Sequence, residues 1–428
     1  MRTITCLCIA LYMSCIAAYS TDYLPNRIIV KFKESGHTLT LSHKRTAVLC
    51  ATLPAVEALN ARYKCNAAEE LSSRKNNGTK PRMYALNFPA GSDMKRIIEE
   101  YQNTGAFEFV ERDAYGEGTG RKVQRSTKKS QKKRADLNLI PDDTNFGTQW
   151  SLRNTGTFSL APAKVGADIR MTDAWTVTQG DSSVIVAILD SGCDFDHPEF
   201  SGRTWRNTAD TPGNGLDDDG NGFADDVRGW NFAYNNANVN DDYGHGTNVS
   251  SIIGMNGNNG RGLAGVDWRC KLMNLKVLDS TNRGLYSWWA AAIAYASDNG
   301  ARVINMSLGG TTASAAMQSA IAEAIANNSI VVVSMGNDNR ENPSYPAATP
   351  GAMAVGCTNP DDTRTTSFPW NSAKGSNFGS HISVTAPGNF IYGLDHRNRT
   401  VYSSYWSGTS QSAPHVSGLC ALLLAQNP

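Results

Sequence analysis

Between residues 184 and 334 the chain carries four short, nearly continuous apolar runs rich in branched side chains: 184–189 (VIVAIL), 272–278, 302–306 and 330–334 (IVVVS). A run that is apolar at consecutive positions is buried on both faces, which is what a strand inside a parallel sheet requires. Segments 285–296 and 313–327 lie between these runs and read as Ala-rich helices. This alternation predicts an α/β fold, a doubly wound parallel sheet with helices on both faces. In such a sheet the chemistry sits beyond the carboxyl ends of the strands.

The chain has 428 residues, 40% of them hydrophobic, enough for two or three folding units with sizeable cores. Its net charge of +1 conceals a division. Residues 1–138 hold 23 Lys+Arg against 13 Asp+Glu, and the remainder holds 17 against 26. An acidic main body argues against a nucleic-acid partner. In the basic part, a strand-like 27–32, a helix-like 94–102 and a strand-like 107–110 make a small α+β unit. Residues 121–134 follow with eight Lys or Arg in fourteen positions and no apolar period, either a solvated tether or a processing site such as Lys132-Lys133-Arg134.

Residues 1–20 combine Arg2, an apolar stretch over 4–18 and small residues at Ala18 and Ser20. About 15 apolar residues fall short of the roughly 20 that span a bilayer, so this reads as a cleaved secretory signal, and no stable membrane association is expected. Export permits disulfides. Cys193, Cys270, Cys357 and Cys420 of the acidic body allow three pairings, and no cysteine or histidine spacing resembles a zinc site.

Three residues stand out chemically. Asp190 ends the VIVAILD run, where it is either a turn residue or a carboxylate at the rim of the sheet. His245 lies in Gly-His-Gly-Thr directly before an apolar helical stretch, its flanking glycines leaving the imidazole unobstructed. Ser410, in Gly-Thr-Ser before the apolar helix 416–424, is a helix cap or a nucleophile aided by the helix dipole. A serine hydroxyl needs a histidine to take its proton and a carboxylate to orient that histidine, and the chain offers one good candidate for each role.

The segments DSGCDFDHPEF (190–200), GHGTNV (244–249) and GTSQSAPHVSG (408–418), in the order Asp, His, Ser, resemble the subtilisin-like serine proteases, in particular the secreted thermitase- and proteinase K-like members. An α/β-hydrolase esterase would need a Gly-x-Ser-x-Gly elbow and a different order, and Ser410 has neither. A non-catalytic relative would show a broken position among these motifs, and none is broken.

The resemblance implies an endopeptidase acting on protein or peptide substrates, with Asp190, His245 and Ser410 as triad and Asn337, in IVVVSMGNDN, as oxyanion donor. It also implies that Ser307, Leu308 and Gly309 pair with substrate backbone. The small unit, residues 21–115, corresponds to a propeptide that assists folding and inhibits the enzyme until cleaved, its positive charge docking on the acidic body. Residues 116–139 are then a linker and 140–428 the catalytic domain. The maturation cut falls either after about residue 116 or after Arg134.

Calcium is the expected cofactor. Asp217, Asp219 and Asn221 in DDDGNG place oxygens at alternating positions, as a calcium loop or an acidic solvated loop does. By family position a second site involves Glu199, Asn259 of the 256–261 loop and Asp143. Glu199 replaces the more usual aspartate, Asn248 a second histidine and Gln411 a methionine. Only eighteen residues (428 − 410) follow Ser410, fewer than the family pattern implies, so the catalytic domain is expected to be truncated at its C-terminus.

Overall fold

The computed structural model describes residues 22–41, 49–72, 81–123, 139–396, 399, 402 and 404–428. The expected signal, most of the basic linker and Lys132-Lys133-Arg134 lie outside them. Seven parallel strands form the main sheet in the spatial order Val384–Pro387, Met353–Thr358, Ile330–Ser334, Val303–Met306, Ile185–Asp190, Lys271–Lys276, Gly229–Asn231. The chain order reverses at Ile185–Asp190, whose neighbours are Val303–Met306 on one side and Lys271–Lys276 on the other. Asp190 thus ends the strand at the switch point of a doubly wound sheet, the place where the crevice opens.

Side chains alternate along each strand and fill two cores. Ala187, Leu189, Met273, Leu275, Ile304 and Met306 pack with Trp289, Ile293 and Ile321 from helices Tyr286–Asp298 and Ala315–Ala326. Val186, Ile188, Leu272, Val303, Val332 and Val355 face the other way, onto Val249 and Ile253 of helix His245–Gly254 and Ala413, Val416 and Ala421 of helix Thr409–Gln426. Each fully buried aliphatic side chain contributes roughly 1.5–3 kcal/mol. The second core uses the two helices whose first turns hold His245 and Ser410, so packing fixes where those turns begin. Cys193, Cys270, Cys357 and Cys420 are all buried and unpaired, and none of the three pairings forms.

The N-terminal unit is an antiparallel sheet in the order Ala67–Glu70, Met83–Asn87, Tyr23–Phe32, Phe107–Gly118, with helices Pro54–Arg62 and Met94–Asn103. It meets the main body through carboxylates as well as through basic residues such as Arg27, which donates to Ser287 Oγ at 3.2 Å. Glu111 accepts from the backbone N–H of Ala315 (2.9 Å) and Ala316 (3.1 Å) and from the Ser314 hydroxyl (2.7 Å), at the start of helix Ala315–Ala326. Asp113 does the same at the start of helix Tyr286–Asp298. Free N–H groups and the positive end of the helix dipole favour an anion there, a local attraction that net charge does not reveal.

Candidate active site

Asp190 is fully buried, and its Oδ1 accepts from the Ser191 N–H at 2.7 Å and lies 2.7 Å from His245 Nδ1. A carboxylate only accepts, so Nδ1 carries the proton and Nε2 keeps its lone pair. His245 opens its helix after Gly244 at φ 106°. A Cβ at Gly246 would stand 2.0 Å from the Gly192 carbonyl oxygen, so the turn after Asp190 and the first turn of the His245 helix approach as only glycine allows. His245 Nε2 is buried and has no hydrogen-bond partner.

Ser410 is the second residue of helix Thr409–Gln426 and is fully buried. Its hydroxyl donates to Ser307 O at 2.9 Å, and Ser307 Oγ donates back to Ser410 O at the same distance. The structure therefore gathers Asp190, His245 and Ser410 at one rim of the sheet, with the serine hydroxyl turned towards Ser307 instead of the imidazole. Asn337 follows Gly336, and its Oδ1 accepts from Thr409 N (2.9 Å) and Thr409 Oγ1 (3.0 Å). With the oxygen so occupied, the Asn337 NH2 group faces the cleft.

Leu308–Gly309 and Arg283–Leu285 are two strand edges flanking the cleft, and the end of the long strand Phe107–Gly118 pairs antiparallel with both. Beside them lies a cavity of about 390 Å³ lined by Gly309, Gly336, Asn337, Asp338, Arg340 and Lys374 among others. Lys374 and Arg340 both pair with Asp338, at 2.5 and 2.9 Å.

Asp241 was not singled out from the sequence. It accepts from Ser191 Oγ (2.9 Å), Gly244 N (2.7 Å) and Thr247 N (2.8 Å), tying the turn after Asp190 to the first turn of the His245 helix. Nothing in a lone Asp-Asp pair signals this, because the partner that makes it a tie is the Ser191 hydroxyl, fifty residues away in sequence. Thr409 was passed over for the same reason, although it sits inside a quoted motif.

Of the expected metal ligands, Glu199 and Asp143 lie next to the Asn256–Leu263 loop. Asn259 donates to Glu199 Oε2 at 2.8 Å and Asn258 N donates to Asp143 Oδ2 at 2.6 Å. Glu199 Oε1 and Asp143 Oδ1 are buried without partners. Burial above all, with Asp143 adding repulsion, pushes the Glu199 carboxyl up to about 7. Two partnerless carboxylate oxygens at one loop fit a hard cation. In the acidic loop, Asp217 and Asp219 gather with Asp210, their carboxylate oxygens within 4.8 Å of one another. The Asn221 side chain lies against the same loop, its Nδ2 donating to Asp219 and Asp226 and its Oδ1 accepting from Phe223 N.

The subtilase family model matches residues 181–428. Thermitase from Thermoactinomyces vulgaris is 33% identical over 258 residues, covering 60% of this chain and 80% of thermitase. The thermophilic serine proteinase of Bacillus sp. (strain AK1) is 32% identical over 287 residues, covering 67% of this chain and 60% of that protein. The crystal structure of fervidolysin from Fervidobacterium pennivorans, described as a keratinolytic enzyme related to subtilisin, superposes with a TM-score of 0.65 at 19% identity, over 96% of this chain and 56% of that one. The chain thus spans less than two thirds of the last two.

The doubly wound sheet with its cleft at the switch point is the subtilisin-like fold. The chain belongs to the subtilase family of serine endopeptidases, with thermitase among its relatives.

Proposed function

We propose that this chain is the proenzyme of a secreted endopeptidase that cuts peptide bonds through Asp190, His245 and Ser410. The observation that carries the reading is the 2.7 Å contact between Asp190 Oδ1 and His245 Nδ1, which leaves Nε2 unpaired beside the cleft. Ser410 Oγ leaves Ser307 O, gives its proton to Nε2 and attacks the substrate carbonyl carbon. Asp190 holds the ring orientation and stabilises the imidazolium. The negative oxygen is met by the Ser410 N–H, at the positive end of its helix, and by the Asn337 NH2 group. His245 then protonates the leaving amine, and water releases the acyl-enzyme. Ser307, Leu308 and Gly309 offer an edge for extended substrate, favouring backbone over side-chain recognition.

In this reading residues 1–20 are the signal, 21–115 an inhibitory propeptide, 116–139 a linker and 140–428 the catalytic domain. Among the described residues no helix is long and apolar enough to cross a membrane. Glu199, Asp143 and Asn259 would hold a calcium ion, which would neutralise the carboxylates and pin the loop. Asp217, Asp219 and Asn221, with Asp210 beside them, would hold a second.

A fluorophosphonate probe tests the chemistry. Labelling of the wild type and none of Ser410→Ala is expected. Equal labelling of both, or none of a folded wild type, overturns the assignment.

A further inference from the structure

The chain runs through its own cleft. Tyr115, Gly116 and Glu117 pair with Leu285, Gly284 and Arg283, while Glu117 and Gly118 pair on the other side with Gly309 and Leu308. Thr119 N donates to Ser307 O at 3.2 Å. Beyond the nucleophile the ladder resumes, with Arg121, Lys122 and Val123 against Ser407, Trp406 and Tyr405. Residues 116–123 therefore lie extended across both halves of the cleft, and only Thr119 and Gly120 fall between the two ladders.

The groups needed for hydrolysis converge on the bond between those two residues. The point where a Cβ of Gly408 would stand is 2.7 Å from Thr119 O, 3.0 Å from Gly120 Cα and 3.1 Å from Asn337 Nδ2. The corresponding point on Gly120 is 2.8 Å from His245 Nε2. The Thr119 hydroxyl hydrogen-bonds to Ser410 Oγ and, at 2.7 Å, to Ser334 Oγ. The three glycines also acquire a reason. A Cβ at Gly116 would stand 2.2 Å from Trp289 and 2.9 Å from Gly309 O, one at Gly118 would stand 2.5 Å from Asn282, and one at Gly120 would stand 2.6 Å from Gln411. The walls that these positions face leave no room for a side chain.

We propose that Thr119–Gly120 is the bond this enzyme cuts to mature, and that Gly-x-Gly-Thr before the bond and Gly after it is the substrate class its cleft fits. The inference rests on the endopeptidase reading above. Ser410 Oγ bonds to the Thr119 carbonyl carbon as the Thr119–Gly120 C–N bond breaks. The serine proton passes through His245 to the Gly120 nitrogen. Water then cleaves the ester, leaving a Thr119 carboxylate, a free Gly120 amino group and the regenerated serine. Arg134 and its basic neighbours have no part in the event.

The test is mass spectrometry of the fragments released by the expressed full chain, with Ser410→Ala beside it and fluorophosphonate labelling of both. The expected N-terminal fragment ends at Thr119 in the wild type, and Ser410→Ala stays uncut; later trimming of the new N-terminus does not disturb this reading. A synthetic peptide covering residues 115–123 is expected to be cut once, between Thr and Gly. Valine in place of its first glycine is expected to lower kcat/KM by roughly tenfold or more, because Trp289 and a backbone carbonyl cannot both give way. A fragment ending at Arg134 or elsewhere, from a protein that labels normally, overturns the cut site and leaves the endopeptidase standing. A folded wild type that neither cuts nor labels overturns both.

Discussion

Asp113 accepts both polar groups of Ser287, the backbone N–H at 3.1 Å and the hydroxyl at 2.5 Å, and so caps helix Tyr286–Asp298 from the N-terminal unit. The carboxyl is fully buried, with Arg27 at 3.0 Å. Burial nevertheless dominates and pushes it up to about 6, against attraction from Arg27 and the bonds from Ser287.

A group whose carboxyl is raised in the docked state binds more protons docked than free. Its contribution to docking is therefore greatest towards the acid side and is lost as pH rises through about 6. The cleaved N-terminal fragment should be retained more tightly near pH 5 than near pH 7, and Asp113→Asn should remove that dependence. Retention measured by size-exclusion chromatography across this range decides it. Equal pH dependence in the two proteins would show that another group is responsible.

Asp190→Asn should leave the fold intact and lower kcat by about 10⁴, since an amide opposite Nδ1 permits the wrong tautomer. Single-turnover acylation with an ester substrate measures it. A loss under tenfold would remove Asp190 from the site.

Asn337→Ala should lower kcat by roughly 10²- to 10³-fold with KM little changed, a magnitude established on subtilisin. Thr409→Val, which leaves Asn337 Oδ1 held only by the residue 409 N–H and does not touch substrate, should lower kcat in the same direction but by less. Restoration by Thr409→Ser would identify the hydroxyl as the positioning group.

Calcium should raise Tm with free ion concentration, by about 2.7 kcal/mol of stability at a hundred times Kd. Glu199→Gln combined with Asp143→Asn should remove the first site's share of that response, leaving only what the site of Asp210, Asp217 and Asp219 contributes. A wild-type Tm unmoved between chelator and millimolar calcium would dispose of both proposed ion sites.

What the sequence conveyed well was whatever announces itself locally. The runs ending at Asp190, Met306 and Ser334 read as buried strands because they are nearly continuous and rich in branched side chains, and they lie where expected. Strand Met353–Thr358 (MAVGCT) was missed, since a glycine and a threonine interrupt its apolar character, and Gly229–Asn231 is too short to show any period. His245 and Ser410 were legible from their glycine-flanked motifs. The Asp241 network, the Thr409 clamp and the passage of 115–123 through the cleft were not, because each depends on a partner distant in sequence. The alternating glycines at 116, 118 and 120 were visible, but only the walls facing them explain their spacing.

The strand Phe107–Gly118 joins the N-terminal unit's strands to the two strand edges of the cleft in one sheet. While it remains joined to Gly120, occupation of the cleft is intramolecular, with an effective concentration in the millimolar range that dilution cannot lower. Once the connection is severed the same contacts become an ordinary bimolecular equilibrium. On the proposed cut, the onset of activity would be timed by the volume into which the protein is released and by how fast the departing fragment is itself digested.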